Sequence, residues 1–173
     1  MKMREALPLL TVVAMLALAA AANGAPLAGF AANDNPDVVE VRQYALTLEK
    51  AQKTAKAMYG INQLVAANPS LNAALDAGSS TTGKKPIAQQ AQDIDSKYPQ
   101  IAAIIHANGL TTREFIVVTG AIINDLGFVG MKKQGLIKAY PPNSIIPGNA
   151  ALIEQNWAAF QVIGGEMSPP STR

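Results

Sequence analysis

His106 is the only histidine of the 173-residue chain, and there is no cysteine. A metal site built on imidazoles or thiolates is therefore out of reach, and any zinc or iron would have to be held mainly by carboxylates. Asp93, Asp95 and Glu114 are the acids nearest to His106 in sequence, and only folding could bring them to it. His106 also stands two residues before Asn108-Gly109, where the negative end of a helix favours a positive side chain. That position accounts for it without chemistry, since a lone base with no nucleophile beside it defines no reaction.

The other oxygen-rich stretches read as structure. Asp34, Asp37 and Glu40, interleaved with Asn33 and Asn35, lack the glycine at position six and the glutamate at position twelve of a calcium-binding loop. Helix capping explains them. Asp93 and Asp95, two apart on a helix, face different sides and form no dyad. No nucleophile elbow or metal-ligand spacing occurs, so a hydrolase would have to rest on carboxylates or on Ser and Thr hydroxyls alone.

One spacing is unusual. Gly120, Gly127 and Gly130 share a helical stripe with Ile116 and Ile123, and three glycines inside one helix together cost about 2 to 3 kcal/mol. Something must use the space they leave. Close approach of another helix is the plain use. A concave wall for an apolar ligand is the sharper one, with Trp157, Phe160, Met58 and Tyr59 as its candidate lining. Leucine at Gly120 or Gly127 is then expected to overpack by about 1 to 3 kcal/mol. Lys50, Lys53 and Lys56 form a basic stripe that reads as a solvated face, supported by a Glu49 to Lys53 pair.

The elements that must position these residues are helical. Asp34 or Asn35 caps a first helix with Pro36 at its opening position. Val38, Val41, Tyr44, Ala45, Leu48, Ala51, Ala55, Met58 and Tyr59 recur on one face, and the pattern runs on through Ile61, Leu64 and Val65 to Asn68-Pro69. Gly60 is a candidate kink. A short helical turn or two follows over Ser70 to Ala77, and then the linker-like Gly78 to Pro86. A second long helix over Ile87 to Ala107 is interrupted at Tyr98-Pro99 and stopped by Asn108-Gly109. Thr111 to Glu114 is a capping box.

It opens the third and most apolar helix, which carries Phe115, Ile116, Val118, Ile122, Ile123, Leu126, Phe128 and Val129, ends near Lys132-Lys133, and is expected to be buried on two sides. A stiff connection containing Tyr140 to Pro147 leads to a last helix, capped by Asn149, with Leu152, Ile153, Trp157, Phe160 and Ile163 as its apolar set. Gly164-Gly165 is expected to end it. No alternating strand pattern or internal repeat is present. The expected fold is all-α: a bundle of about four principal helices and a short extra helix.

The front of the chain carries an address. Lys2 and Arg4 precede an uncharged run from Ala6 to Ala22, the pattern of a secretory signal peptide. Cleavage fits after Ala22 or after Ala25, and Pro26 directly past the second cut favours the first. The run is shorter than the roughly 20 residues of a membrane span. Without cysteine there is no lipoprotein anchor, and no twin-arginine pair is present. The expected organisation is a signal peptide over 1–22, a flexible leader over 23–35, a single helical domain over 36–165, and a disordered tail over 166–173.

Removing residues 1–22 leaves 12 basic and 11 acidic residues. Scattered, balanced charge gives no footprint for nucleic acid. Hydrophobic residues make up 49% of the chain but aromatic ones only 5%, so the core is aliphatic and the chain is not a disordered one. These features point to an exported, soluble periplasmic or secreted module that binds a small apolar ligand or a protein partner, with no stable membrane anchor after cleavage and no cofactor. The alternatives are a purely structural envelope protein or a carboxylate- or Ser/Thr-based hydrolase.

Overall fold

The computed structural model describes residues 35–82 and 85–168. The expected signal peptide, the expected leader up to Asp34 and the end of the expected tail lie outside the described residues. Among the described residues there are eight helices and no strand, and the fold is all-α. They are α1 (Pro36–Gln43), α2 (Leu48–Ala66), α3 (Pro69–Thr82), α4 (Ile87–Lys97), α5 (Pro99–Ala107), α6 (Thr112–Lys133), α7 (Pro147–Gln155) and α8 (Trp157–Met167).

α6 is the central element, packed against α1, α2, α4, α5 and α7. Its residues from Phe115 to Ile122 are all buried, which agrees with a helix covered on more than one side. By length and composition it could cross a membrane, but it lies mid-chain and is mostly buried, as the core helix of a folded domain is. α2 packs on α8, α5, α6 and α3. Its fully buried Ala51, Ala55 and Ala57 are small enough to let neighbouring helix axes come close.

Local signals set most of the helix ends. Asn35 accepts from the Asp37 amide to cap α1, and Thr111 accepts from the Glu114 amide to cap α6. The expected interruption at Tyr98-Pro99 separates α4 from α5. Gly109, at φ 73°, takes the left-handed conformation that lets the chain reverse into α6.

Five differences from the periodicity stand out. The first helical pattern is two helices, because Tyr44 to Thr47 leave the helix and Thr47 caps α2 by accepting from the Lys50 amide. The pattern of apolar positions runs across this break and does not reveal it. α2 then passes through Gly60 without interruption; a Cβ there would sit 3.1 Å from Ile104 Cγ2, so the glycine provides close approach and not a kink.

α3 extends to Thr82, since no proline stands before Pro86 to stop it. The last pattern is likewise two helices, divided at Asn156, whose side-chain amide donates to the Leu152 carbonyl at 2.9 Å and competes with the helix for it. α8 also continues through Gly164-Gly165 to Met167, which is buried. A Cβ on Gly164 would lie 3.1 Å from Leu126 Cδ2. Glu166 to Ser168 therefore belong to the folded domain and not to a tail, and Asn62 Nδ2 donates to the Ser168 carbonyl.

Candidate functional site

The glycine stripe does not form one wall. Gly120 is buried under α1, and a Cβ there would lie 3.1 Å from Val41 Cγ1. Gly127 is exposed with nothing within 4 Å of its Cβ position, and Gly130 has Trp157 at 3.9 Å. Met58 and Phe160 are fully buried core residues. Tyr59 is 54% exposed. The structure thus places Gly130 beside Trp157, with Gly127 one turn away on the same helix, while Met58 and Phe160 share the buried core. Overpacking by a larger residue applies at Gly120 and not at Gly127, which has open space in front of it.

Around Trp157 the surface combines aromatic rings with lysines. The Lys133 ammonium stands 5.1 Å from the Trp157 ring centroid, and that of Lys132 stands 4.6 Å from the Tyr140 ring. Glu154 joins this group, accepting from Lys132 at 2.9 Å and from the Tyr140 hydroxyl at 2.7 Å. The Lys132 contact, followed by the Tyr140 one, lowers the Glu154 pKa. These contacts fix the end of α6 and the following connection against α7 and α8. Leu136, 69% exposed, lies just beyond.

A second centre escaped the sequence reading. Asp125, on the most apolar helix, is 1% exposed. Its Oδ1 accepts from Asn124 Nδ2 at 2.8 Å and its Oδ2 from Asn149 Nδ2 at 2.6 Å. Asn149 is not a helix cap, because α7 begins at Pro147 after Ile146. It sits in the first turn, where its Oδ1 accepts from the Leu46 amide at 2.9 Å and its Nδ2 also donates to the Tyr44 carbonyl at 2.8 Å. It therefore satisfies the backbone that the α1–α2 break leaves unpaired, which is why the break can be buried.

Asn124 Nδ2 donates to the Ser144 carbonyl as well, and the buried Ser144 hydroxyl donates to the Pro141 carbonyl. Burial raises the Asp125 pKa to about 6, against the lowering effect of the two amides. One signal could have exposed this centre: a single acid inside an otherwise apolar helix.

Folding does bring Asp95 to His106. The Thr112 hydroxyl, itself buried, bonds the Asp95 carboxylate, and His106 Nε2 lies 3.3 Å from the same hydroxyl and 3.9 Å from Asp95 Oδ1. In a nucleophile–base–acid triad the acid orients the opposite ring nitrogen. Here all contacts converge on one nitrogen and one hydroxyl, so the cluster ties α4, α5 and α6 together. Asp93 turns away to Lys85 and Lys97, and its pKa is lowered by Lys85 first and then Lys97.

Of the lysine stripe, Lys53 pairs with Glu49 at 2.6 Å and Lys50 with Glu114 at 2.7 Å. Glu114 also accepts from the Tyr44 hydroxyl at 3.2 Å. Lys50 most strongly, with help from Tyr44 and the Thr111 amide, outweighs burial and lowers its pKa. No group of three or more metal-ligating side chains occurs among the described residues. No protein-family model, curated protein or solved structure matches the chain.

Proposed function

We propose that the protein is an exported helical binding or interaction module of the periplasm, which acts by contact and not by turnover. Export is supported by the charged start and short apolar run of residues 1–22. The observation that carries the binding reading is the corner where α6 meets α7 and α8. There the bare backbone of Gly127 faces open space, one turn from Gly130 and the partly exposed ring of Trp157. An exposed glycine beside an indole offers a shallow seat, with the Lys133 ammonium at its rim. A small apolar or weakly polar ligand suits it, held by ring contact.

Catalysis has less support, because the hydroxyl of the His106–Asp95–Thr112 cluster is buried and its geometry is that of a structural tie. The test is titration of the mature protein with fatty acids, quinones and aromatic compounds, followed by tryptophan emission and thermal stability. Trp157 is the sole tryptophan, so its emission reports this corner alone. Saturable change in both signals, with the thermal shift weakened in W157A, supports the reading. If no compound moves either signal, the small-ligand reading falls, leaving a protein partner or a structural role in the envelope.

A further inference from the structure

The Asp125 centre lies apart from the Trp157 corner and joins four pieces of chain: the α1–α2 break, α6, the connection after α6, and the first turn of α7. The two donors on its carboxylate are neutral amides, and neither is free to turn over. Asn149 Oδ1 is committed to the Leu46 amide, and its Nδ2 also donates to the Tyr44 carbonyl. Asn124 Nδ2 is shared between Asp125 and the Ser144 carbonyl. Such amides can donate to the neutral acid as well as to the carboxylate, so the closed contacts survive protonation. Burial, in contrast, penalises the charged form alone. Opening of the centre to water is therefore worth more to the carboxylate than to the acid.

We propose that the Tyr44–Leu46 segment and the first turn of α7 form a proton-linked latch on Asp125, held shut on the neutral acid and released more often once the carboxyl has given its proton to solvent. The surrounding ionisable groups are engaged elsewhere or lie outside this balance. Glu114 on α6 is held by Lys50 of α2 and by Tyr44, while Glu154 on α7 is held by Lys132 and Tyr140. Arg42 is buried at the end of α1 and is also engaged. The Asp125 pKa is set by burial against the two amide hydrogen bonds, with no ionised group among the causes.

The test is amide hydrogen exchange of the full mature chain between pH 4 and 7.5, under conditions where exchange follows the opening equilibrium and rates are corrected for intrinsic pH dependence. The Leu46 amide, whose acceptor is Asn149, is the probe, and the Val118 amide in the centre of α6 is the reference for global unfolding. The expected result is that Leu46 is less protected than Val118 and loses tenfold or more of its protection as pH rises through about 6, whereas D125N gives a flat profile. A flat wild-type profile overturns the latch, as does Leu46 protection equal to that of Val118 or an unchanged pH dependence in D125N. If D125N does not fold, the wild-type profile and its comparison with Val118 decide alone.

Discussion

Asn149 and Asp125 meet side chain to side chain at 2.6 Å inside the domain, and the same Asn149 also holds both backbone groups of the Tyr44–Leu46 turn of chain. One amide thus substitutes for the helical hydrogen bonds that α1 and α2 would have made had they been continuous. Removing it leaves a buried carboxylate oxygen, a buried amide and a carbonyl short of a partner together.

N149A is accordingly expected to lower stability by about 2 to 4 kcal/mol, the range for stranding several buried polar groups at once. Urea denaturation measures this. A loss below about 0.5 kcal/mol would mean that water replaces the amide at no cost.

Stability should respond to pH with two opposed components. The Asp125 pKa is raised from 3.8 to about 6, so its contribution is fully present below pH 3.8 and is lost as pH rises through about 6, amounting to about 3 kcal/mol for two pKa units. Glu114 and Glu154 have lowered pKa values, by Lys50 and Lys132 respectively. Their contribution is present above the ordinary carboxylate pKa and is lost as pH falls through the depressed values. Wild type and D125N, unfolded by denaturant at pH 3, 4, 5, 6, 7 and 8, are expected to differ in slope between about pH 4 and 6 and to run parallel at both ends of the series.

Alanine at the glycines of α6 should act with opposite signs. G120A pushes a methyl group to 3.1 Å from Val41 and is expected to destabilise by about 1 to 3 kcal/mol. G127A meets nothing within 4 Å and is expected to stabilise by about 0.5 to 1 kcal/mol through helix propensity. Equal effects at the two positions in thermal or chemical denaturation would contradict the packing described.

E114A removes the Lys50 pair, the Tyr44 hydroxyl's acceptor and one half of the α6 capping box. A loss of about 1 to 2 kcal/mol is expected. E114Q, which keeps the hydrogen-bonding shape without the charge, should recover part of it, and a salt titration of the wild type should show the ionic share by its weakening.

Residues whose signals are local were legible in the sequence. Pro36, Pro99, Gly109 and the Thr111 to Glu114 box mark helix boundaries by conformational limits that tertiary structure rarely overrides, and the all-α class followed from the three- and four-residue spacing of aliphatic side chains. The breaks at Tyr44–Thr47 and Asn156 are masked by apolar periodicity that continues through both; Thr47 is a local cap signal at the first, but the side-chain amide that satisfies the open backbone there is not local. At the first break that amide comes from Asn149, far along the chain.

The glycine stripe shows the converse. Its positions were identified by spacing, but the partner of each depends on where α1 and α8 cross α6, so the three glycines ended in three environments. Asp125 stands among apolar neighbours in the sequence, and its isolation there is the clue to its buried role.

The hydrogen bond from Asn149 to the Tyr44 carbonyl spans 105 residues of sequence, which puts the bend between α1 and α2 late in the order of events as the chain folds. Thr47 can start α2 from local contacts alone, and α1 can settle on α6 through Val41 and Gly120, but the bend between them receives its Asn149 hydrogen bonds only when α7 docks. Closing so large a loop is slow compared with helix formation. The backbone groups of the bend are therefore among the last to be satisfied, and until then they depend on water for their hydrogen bonds.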